Sequence, residues 1–478
     1  MILILLLGMG CAAMGPDYTR PDLGIATPPA FQHSQPAPES KLPELDDKWW
    51  QEYGDEDLNR MVGEVLQRNW DIKKAASVVL ELKAKLSASR ADRLPKADLQ
   101  GTAERERLSE IEADSFSLSL SASYEMDFWG RLARAEEAAR AKLLESEENR
   151  LNVAQGAVAE TVRLYLQMES LERRIQITQS SLETYGRALN WVERRYKKGL
   201  SSSLDLSQAA RTLAEAQASL PGLMQELGLA QYDLATLLGR YPATRPPRSQ
   251  PEDYYQSLGP VPAGLPSELL LRRPDLRAAE AALRAVNAQV GQASAARFPR
   301  ISLTGGLGYG SQELDRLFRP ESWLWNIAMG LVQPVFDGGK LQAEYEAAQA
   351  RYQQQVAVYA KAVLQAFSEV EGALLTRQRQ IEKRQRTITW LQHSRRTQRL
   401  AQNHYEKGLT DYQDVLNAQQ TRYAAELELV TVDLAIFQNR AALHRALGGG
   451  WGDPAGFQSS SQTGSPQAAT QISSWRLQ

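Results

Sequence analysis

Residues 115–130 read SFSLSLSASYEMDFWG, and from Ser115 to Phe128 polar and apolar side chains alternate without a fault. Successive side chains of a strand point to opposite faces. Phe116, Leu118, Leu120, Ala122, Tyr124, Met126 and Phe128 therefore share one face, and the five serines, Glu125 and Asp127 the other. Such a strand separates oil from water. A soluble antiparallel sheet with one solvated face carries this pattern, and so does a strand of a membrane barrel.

The chain has 478 residues, 43% of them hydrophobic, with a formal net charge of −2. That supports a large ordered structure and gives no basic excess for a nucleic-acid partner. No apolar run reaches the ~18 residues of a transmembrane helix, so any membrane insertion is expected to be as a barrel. The N-terminus, MILILLLGMGC, is too short to span a bilayer and has the apolar core of a secretory signal. It ends at Cys11, the only cysteine, between Gly10 and Ala12, a pattern that looks like a bacterial lipoprotein cleavage site. Acylation of Cys11 would anchor the chain to a membrane; the plainer alternative is an ordinary secretory signal and a buried thiol. One cysteine excludes an intramolecular disulfide and a Cys-rich metal site.

The chain is two copies of one unit. ADRLPKADL at 91–99 aligns with AARFPRISL at 295–303, and YKKGLSSSLDLSQA from 196 with YEKGLTDYQDVLNA from 405. The first pair is offset by 204 residues and the second by 209, which places an insertion in GSQELDRLFRPESW and marks it as a surface loop. Each copy reads as helix, two strands, very long helix, helix. The strands are expected near 97–108, 115–128, 300–310 and 323–336, and the long helices near 131–195 and 340–406, each roughly 100 Å long at 1.5 Å per residue. The remaining helices are expected from about 71 to 94, 204 to 240, 275 to 297 and 411 to 447. In the second long helix, Leu341, Tyr345, Ala348, Tyr352, Val356, Tyr359, Val363, Phe367, Val370 and Leu374 form an apolar stripe. A small-residue stripe, Ala343, Ala347, Ala350 and Ala357, runs beside it. A helix with two such sides has neighbours on both, as in a wide cylinder or a spectrin-like bundle.

Four strands are long enough to cross an outer membrane, yet the smallest closed barrels have about eight, and open edges cannot face lipid. Several chains must then share one barrel. A trimer with about twelve strands leaves a useful lumen, and a dimer with eight leaves little. On this reading Phe116, Leu118, Leu120, Tyr124 and Phe128 face lipid.

CAAMGPDYTRP after the signal, VPAGLPSELLLRRPDLRAAEAAL at 261–283 and the paired Tyr-x-x-Gly-Leu turns resemble the outer-membrane factor family, the TolC- and OprM-type channels of tripartite efflux pumps. The resemblance covers about residues 11–449 and favours the lipoprotein branch serving resistance-nodulation-division (RND) pumps. It implies a mixed fold, mostly α. A trimer would share a 12-stranded transmembrane β-barrel, four strands per chain, that continues into a long periplasmic α-helical barrel. It implies as partners a periplasmic adaptor (membrane fusion protein), an inner-membrane RND-type transporter and outer-membrane lipid. The expected division is a signal peptide at 1–10, a lipidated extended segment at 11–55, repeats at 56–245 and 271–449 around a linker at 246–270, and a disordered tail at 450–478.

In that family the two turns form the periplasmic tip that docks the adaptor's hairpins. The resemblance thereby implies Gly199, Leu200, Ser201, Gly408, Leu409 and Thr410 as adaptor contacts. The family's second-repeat helix carries acidic or amide residues that constrict the pore, and the matching positions are Asp414 and Asn417, three apart on one helix face. A ring of three Asp414 carboxylates would repel by about 0.7 kcal/mol per pair at ~6 Å in water. Asp205 and Gln208, the first-repeat equivalents, are expected to make tip contacts. The competing reading is that all four are solvated helix starts, with Asp favourable to the helix dipole.

No catalytic constellation is present. His33, His393, His404 and His444 lack metal-ligand spacing, and GGLGYG at 305–310 sits inside a strand and opens no helix, so no enzyme activity and no cofactor are expected. Energy for transport must come from a partner. The expected function is the exit channel for drugs or other small toxic compounds. Protein secretion or metal-ion efflux through the same channel, or a pore-free periplasmic scaffold, are the rivals; 8 methionines without a cluster do not favour copper specialisation.

Overall fold

The computed structural model describes residues 13–26, 28–33, 48–108, 111–246, 261, 269 and 271–449. The expectations for the signal, Cys11, most of the linker and the tail lie outside the described residues.

After a short 3₁₀ turn at Trp49–Tyr53, the first half runs α1 (Glu56–Arg68), α2 (Trp70–Ala91), β1 (Lys96–Leu108), β2 (Ile111–Met126), α3 (Arg131–Lys197) and α4 (Ser203–Leu237). The second half repeats the order as α5 (Pro274–Ala295), β3 (Arg300–Ser311), β4 (Trp323–Val332), α6 (Lys340–Glu406) and α7 (Tyr412–Ala446). The duplication extends to length: α3 and α6 each have 67 residues, and α4 and α7 each have 35. Local chemistry sets the boundaries. The Asp55 carboxylate accepts from the Asp57 and Leu58 amides to start α1, and the Asn69 side chain accepts from Asp71 and Ile72 to start α2. Pro95 and Pro299 stand just past the ends of α2 and α5, where the missing N–H ends a helix. Among the described residues no helix is long and apolar enough to cross a membrane.

The four strands form one antiparallel sheet in the order β1-β2-β3-β4. The register aligns Leu99, Leu120, Leu307 and Trp325 on one face. On the other, Asp98, Ser121, Gly306 and Asn326 line up. The sheet therefore keeps one face apolar and the other polar across its width. Glycine is required at 308: a Cβ there would lie 2.3 Å from the Leu118 carbonyl oxygen and 2.7 Å from the Ser119 Cα. The run GGLGYG thus serves close strand approach. β2 ends at Met126, so Phe128 falls in the following turn, not on the strand. The reason is local, because the Asp127 carboxylate turns to accept from the Ala133 amide at 2.7 Å and caps α3.

The helices are buried where they overlap. Mid-α3 residues Val158, Val162, Tyr165 and Leu166 pack with Trp49, Leu58, Val62 and Val65, the end of α4 and Phe437 of α7. In the second half Tyr359, Val363, Val370 and Leu374 of α6 pack with Leu276 and Leu283 of α5 and Leu443 of α7. The α6 stripe thus points into this core, while Ala343, Ala347, Ala350 and Ala357 are exposed and available to a neighbouring subunit.

A strap, residues 13–26 and 28–33, ties the halves together. The buried Arg134 guanidinium of α3 donates to the Met14 and Gly15 carbonyls and reaches the Asp17 carboxylate at 2.9 Å. From α5, Asn287 donates to the Pro16 carbonyl at 3.0 Å, and Phe31 is buried in the second core.

Candidate functional site

The long helices end in matching turns. Gly199 and Gly408 adopt φ of +71° and +74°, a left-handed conformation that costs glycine little. In each turn the leucine amide reaches back five residues. Leu200 donates to the Arg195 carbonyl and Leu409 to the His404 carbonyl, both at 2.9 Å. This closes the helix end and projects Leu200 and Leu409 outward, 61% and 70% exposed.

The next helices start differently. Asp205 completes a capping box: its carboxylate accepts from the Ser202 amide and the Ser201 hydroxyl, both at 3.0 Å, while its amide donates to the Ser202 hydroxyl. Asp414 lies in the first turn of α7, exposed, and accepts from the Thr410 hydroxyl. Asn417 is also exposed and accepts from Gln413 at 2.9 Å. Asp205 is thus consumed by its own turn, whereas Asp414 and Asn417 stand on an exposed face of α7. Gln208 is half-buried on α4 near the same turn.

The two tips are joined by a cluster that sequence reasoning missed. Val192, Ala209, Tyr405, Tyr412, Val415 and Leu416 form a small buried core. Trp191 meets Tyr405 edge-on at 5.2 Å, and the Arg195 guanidinium lies 5.0 Å from the Trp191 ring and 5.5 Å from the Tyr405 ring. Burial raises the Tyr412 hydroxyl well above the usual phenol range. The available signal was the tyrosine that opens each Tyr-x-x-Gly-Leu turn: Tyr405 is buried in this core, while Tyr196 is 44% exposed.

At the other end, Phe116, Leu118, Leu120 and Tyr124 share the apolar face of β2 with Leu303, Leu307 and Tyr309 of β3 across the ladder. Trp325, Ile327, Met329 and Leu331 of β4 continue that face, each at least 67% exposed. A broad bare apolar surface beside two ~100 Å helices needs a non-aqueous environment for the sheet alone.

The chain matches the family model described as outer membrane efflux protein over residues 61–240 and 265–449. It belongs to that family. The cation efflux system protein CusC of Escherichia coli O6:H1 is 34% identical over 451 residues, spanning 92% of this chain and 96% of CusC. The toluene efflux pump outer membrane protein TtgI of Pseudomonas putida is 32% identical over 466 residues, spanning 94% and 97%. Among solved structures, the outer-membrane channel OprN superposes with a TM-score of 0.85 at 29% identity, covering 91% of this chain and 99% of that one.

This member of the outer membrane efflux family therefore has the fold of an outer-membrane channel, mostly helical and built from two tandem repeats. Four strands per chain enter a twelve-stranded barrel shared by three subunits, which continues into a periplasmic helical barrel. It is an efflux channel of the outer membrane, and its family is one of transport proteins.

Proposed function

We propose that this chain forms, as a homotrimer, the passive exit duct of a tripartite pump for drugs and other small toxic compounds. It is anchored through an acylated Cys11, docked at its tip by a periplasmic adaptor and served by an inner-membrane RND-type transporter. The observation that carries this reading is the pairing, in one chain, of an apolar-faced sheet with open edges and two 67-residue helices. Gly199, Leu200, Ser201, Gly408, Leu409 and Thr410 are assigned as the docking turns. Asp414 and Asn417 are assigned as the constriction, with Asp205 and Gln208 bracing the tip. The closed state is normal; docking swings α6 and α7 outward, and the chain performs no chemistry of its own.

The cargoes named for CusC and TtgI, cations and toluene, are chemically unlike, yet both relatives align with more than nine-tenths of this chain. A duct without selectivity of its own fits both, with the choice of cargo made by the transporter. Metal-ion efflux is the second reading, favoured by the identity with the cation efflux protein.

Single-channel conductance in a planar bilayer tests the gate. Wild type is expected to conduct poorly and Asp414→Ala to conduct more, because removing the ring removes the cation or proton that it would hold across the closed tip. Equal conductance would shift closure to the contacts around Asp205 and Thr410; no conductance from either would remove the channel reading. In cells, export that survives deletion of the transporter would contradict the passive duct.

A further inference from the structure

Inboard of the tip turns, α3 and α6 stand apart over α7 and enclose a cleft of about 590 Å³. Arg187 and Arg194 of α3 face Gln402 and Glu406 of α6 across it, and Tyr412 and Gln419 of α7 line its floor. Trp191, where the cleft meets the aromatic cluster, stands eight residues before Gly199, roughly 12 Å along the helix. The cleft thus continues from the tip without belonging to it.

Two observations say what it lacks. Tyr412 and Gln419 are 2% and 7% exposed, yet the Tyr412 hydroxyl and the Gln419 carbonyl oxygen have no hydrogen-bond partner among the described residues. Buried polar atoms are normally paired, so two orphans lining one cleft mark a place for an incoming group. The second observation is charge. Arg422 of α7, also in the lining, is held by Glu426 and Gln398. Arg187 donates to the Thr184 hydroxyl at 3.3 Å and lies 3.8 Å from Glu183, both charged side chains more than 70% exposed, and Arg194 makes no ion pair among the described residues. Against three guanidiniums the lining sets one carboxylate, Glu406.

We propose that this cleft is a second docking slot, taking an acidic side chain carried on a helical segment of the partner that docks at the tip. The proposal rests on the docking reading above and deepens it, by naming the chemistry that recognises the partner and a place beyond the six turn residues. A carboxylate entering between α3 and α6 meets Arg187 and Arg194, whose planar donors suit carboxylate geometry. At the floor, the Tyr412 hydroxyl donates to it and the Gln419 oxygen accepts a donor from the same segment. The Trp191 and Tyr405 rings supply apolar contact for the helix that carries it.

The test uses the full-length, detergent-solubilised channel and two fluorescent alanine-based helical peptides. One carries two glutamates on one face; the other has glutamines in their place. Wild type is expected to bind the glutamate peptide at least tenfold more tightly, with the preference shrinking as salt is raised. In Arg187→Glu/Arg194→Glu the preference should vanish while the heat-sensitive oligomer persists on a gel. Equal binding of the two peptides, binding of neither, or a preference that survives in the variant overturns the proposal. Export in cells separates it from the docking reading. If Leu200→Asp/Leu409→Asp abolishes export and the arginine variant does not, docking stands and the slot falls; if neither matters, docking itself falls.

Discussion

The Ser201 hydroxyl, on the turn between α3 and α4, lies 3.2 Å from the Tyr405 hydroxyl at the end of α6. This hydrogen bond adds to the apolar and ring contacts that join the tip of the first repeat to that of the second. Ser201 also donates to Asp205, so the link extends into the α4 capping box. Opening a channel by moving α6 and α7 away from α3 and α4 must break it. Tyr405→Phe keeps the ring packing and deletes the link, at about 1 kcal/mol per subunit. Conductance should rise severalfold with oligomer stability unchanged; unaltered conductance would show that the link does not hold the tip shut.

The two tip glycines should respond alike to a methyl group. A Cβ at Gly199 or Gly408 would meet nothing within 4 Å, so the penalty of alanine is confined to the left-handed backbone, about 1–2 kcal/mol each. Gly199→Ala and Gly408→Ala should therefore fray the tip without unfolding the core that mid-α3 forms with α1. Hydrogen exchange is expected to accelerate over residues 195–203 and 404–412 and to stay unchanged in α1 and mid-α3. Faster exchange throughout would mean that the tip and the core of α1 and mid-α3 unfold as one unit.

The strap gives a third expectation. Arg134 is buried and its donors are spent on the Met14 and Gly15 carbonyls and on Asp17 and Glu137. Arg134→Met keeps the stem and removes all four contacts, so the strap loses its hold on α3. Limited proteolysis should then cut within residues 13–33 several times faster. A strap that stays protected in the variant would be held by its other contacts, among them Asn287 on the Pro16 carbonyl, the ion pair of Arg20 with Glu280, the Gln32 amide on Glu371 and the buried Phe31.

Much of this was legible because it rests on periodicity. Alternation from Ser115 fixes which side chains of β2 share a face, and a stripe of about 3.7 residues per step fixes which side of α6 is buried. Proline and glycine mark the ends of elements by denying a donor or allowing positive φ. The contacts between repeats were not legible, since they join residues about 200 positions apart: Ser201 to Tyr405, Thr178 to Tyr423, Trp129 to Pro299. Asp205 and Asp414 look equivalent in the aligned repeats, and only the surrounding hydroxyls separate them. Ser201 and Ser202 draw the first carboxylate into a capping box, whereas Thr410 alone engages the second.

Glu136 links α3 to Arg90 of α2 at 3.1 Å and to Arg93 in the turn after it at 2.6 Å, with Arg140 at 3.0 Å on its own helix. The hydrogen bond from Arg93, helped by those from Arg90 and Arg140, outweighs burial and holds its carboxyl at about 2, below the ordinary 4.5. A depressed carboxylate stabilises the fold above the unfolded value, and that stabilisation is lost as pH falls from about 4.5 through 2. Glu136→Gln should lower the melting temperature at pH 7 and flatten its decline over that window. Parallel wild-type and variant curves would mean that the cluster contributes no net charge stabilisation.

His444 should act at a milder pH. Its ring stacks on Trp49 with centroids 5.0 Å apart, 2% exposed, and neither nitrogen has a hydrogen-bond partner among the described residues. Burial first, and then the Arg440 charge, push its pKa from 6.5 down to about 3. The Glu52 carboxylate, 3.8 Å away, is engaged by Arg440 and does not reverse the shift. The unfolded chain therefore binds a proton that the folded chain refuses between those two values, and stability falls as pH drops from about 6.5 toward 3. His444→Phe keeps a ring against Trp49 and cannot be protonated. Its melting temperature should decline less than that of wild type between pH 6.5 and 4, with the gap widening at each step. A constant gap across that range would place the acid sensitivity of the fold elsewhere.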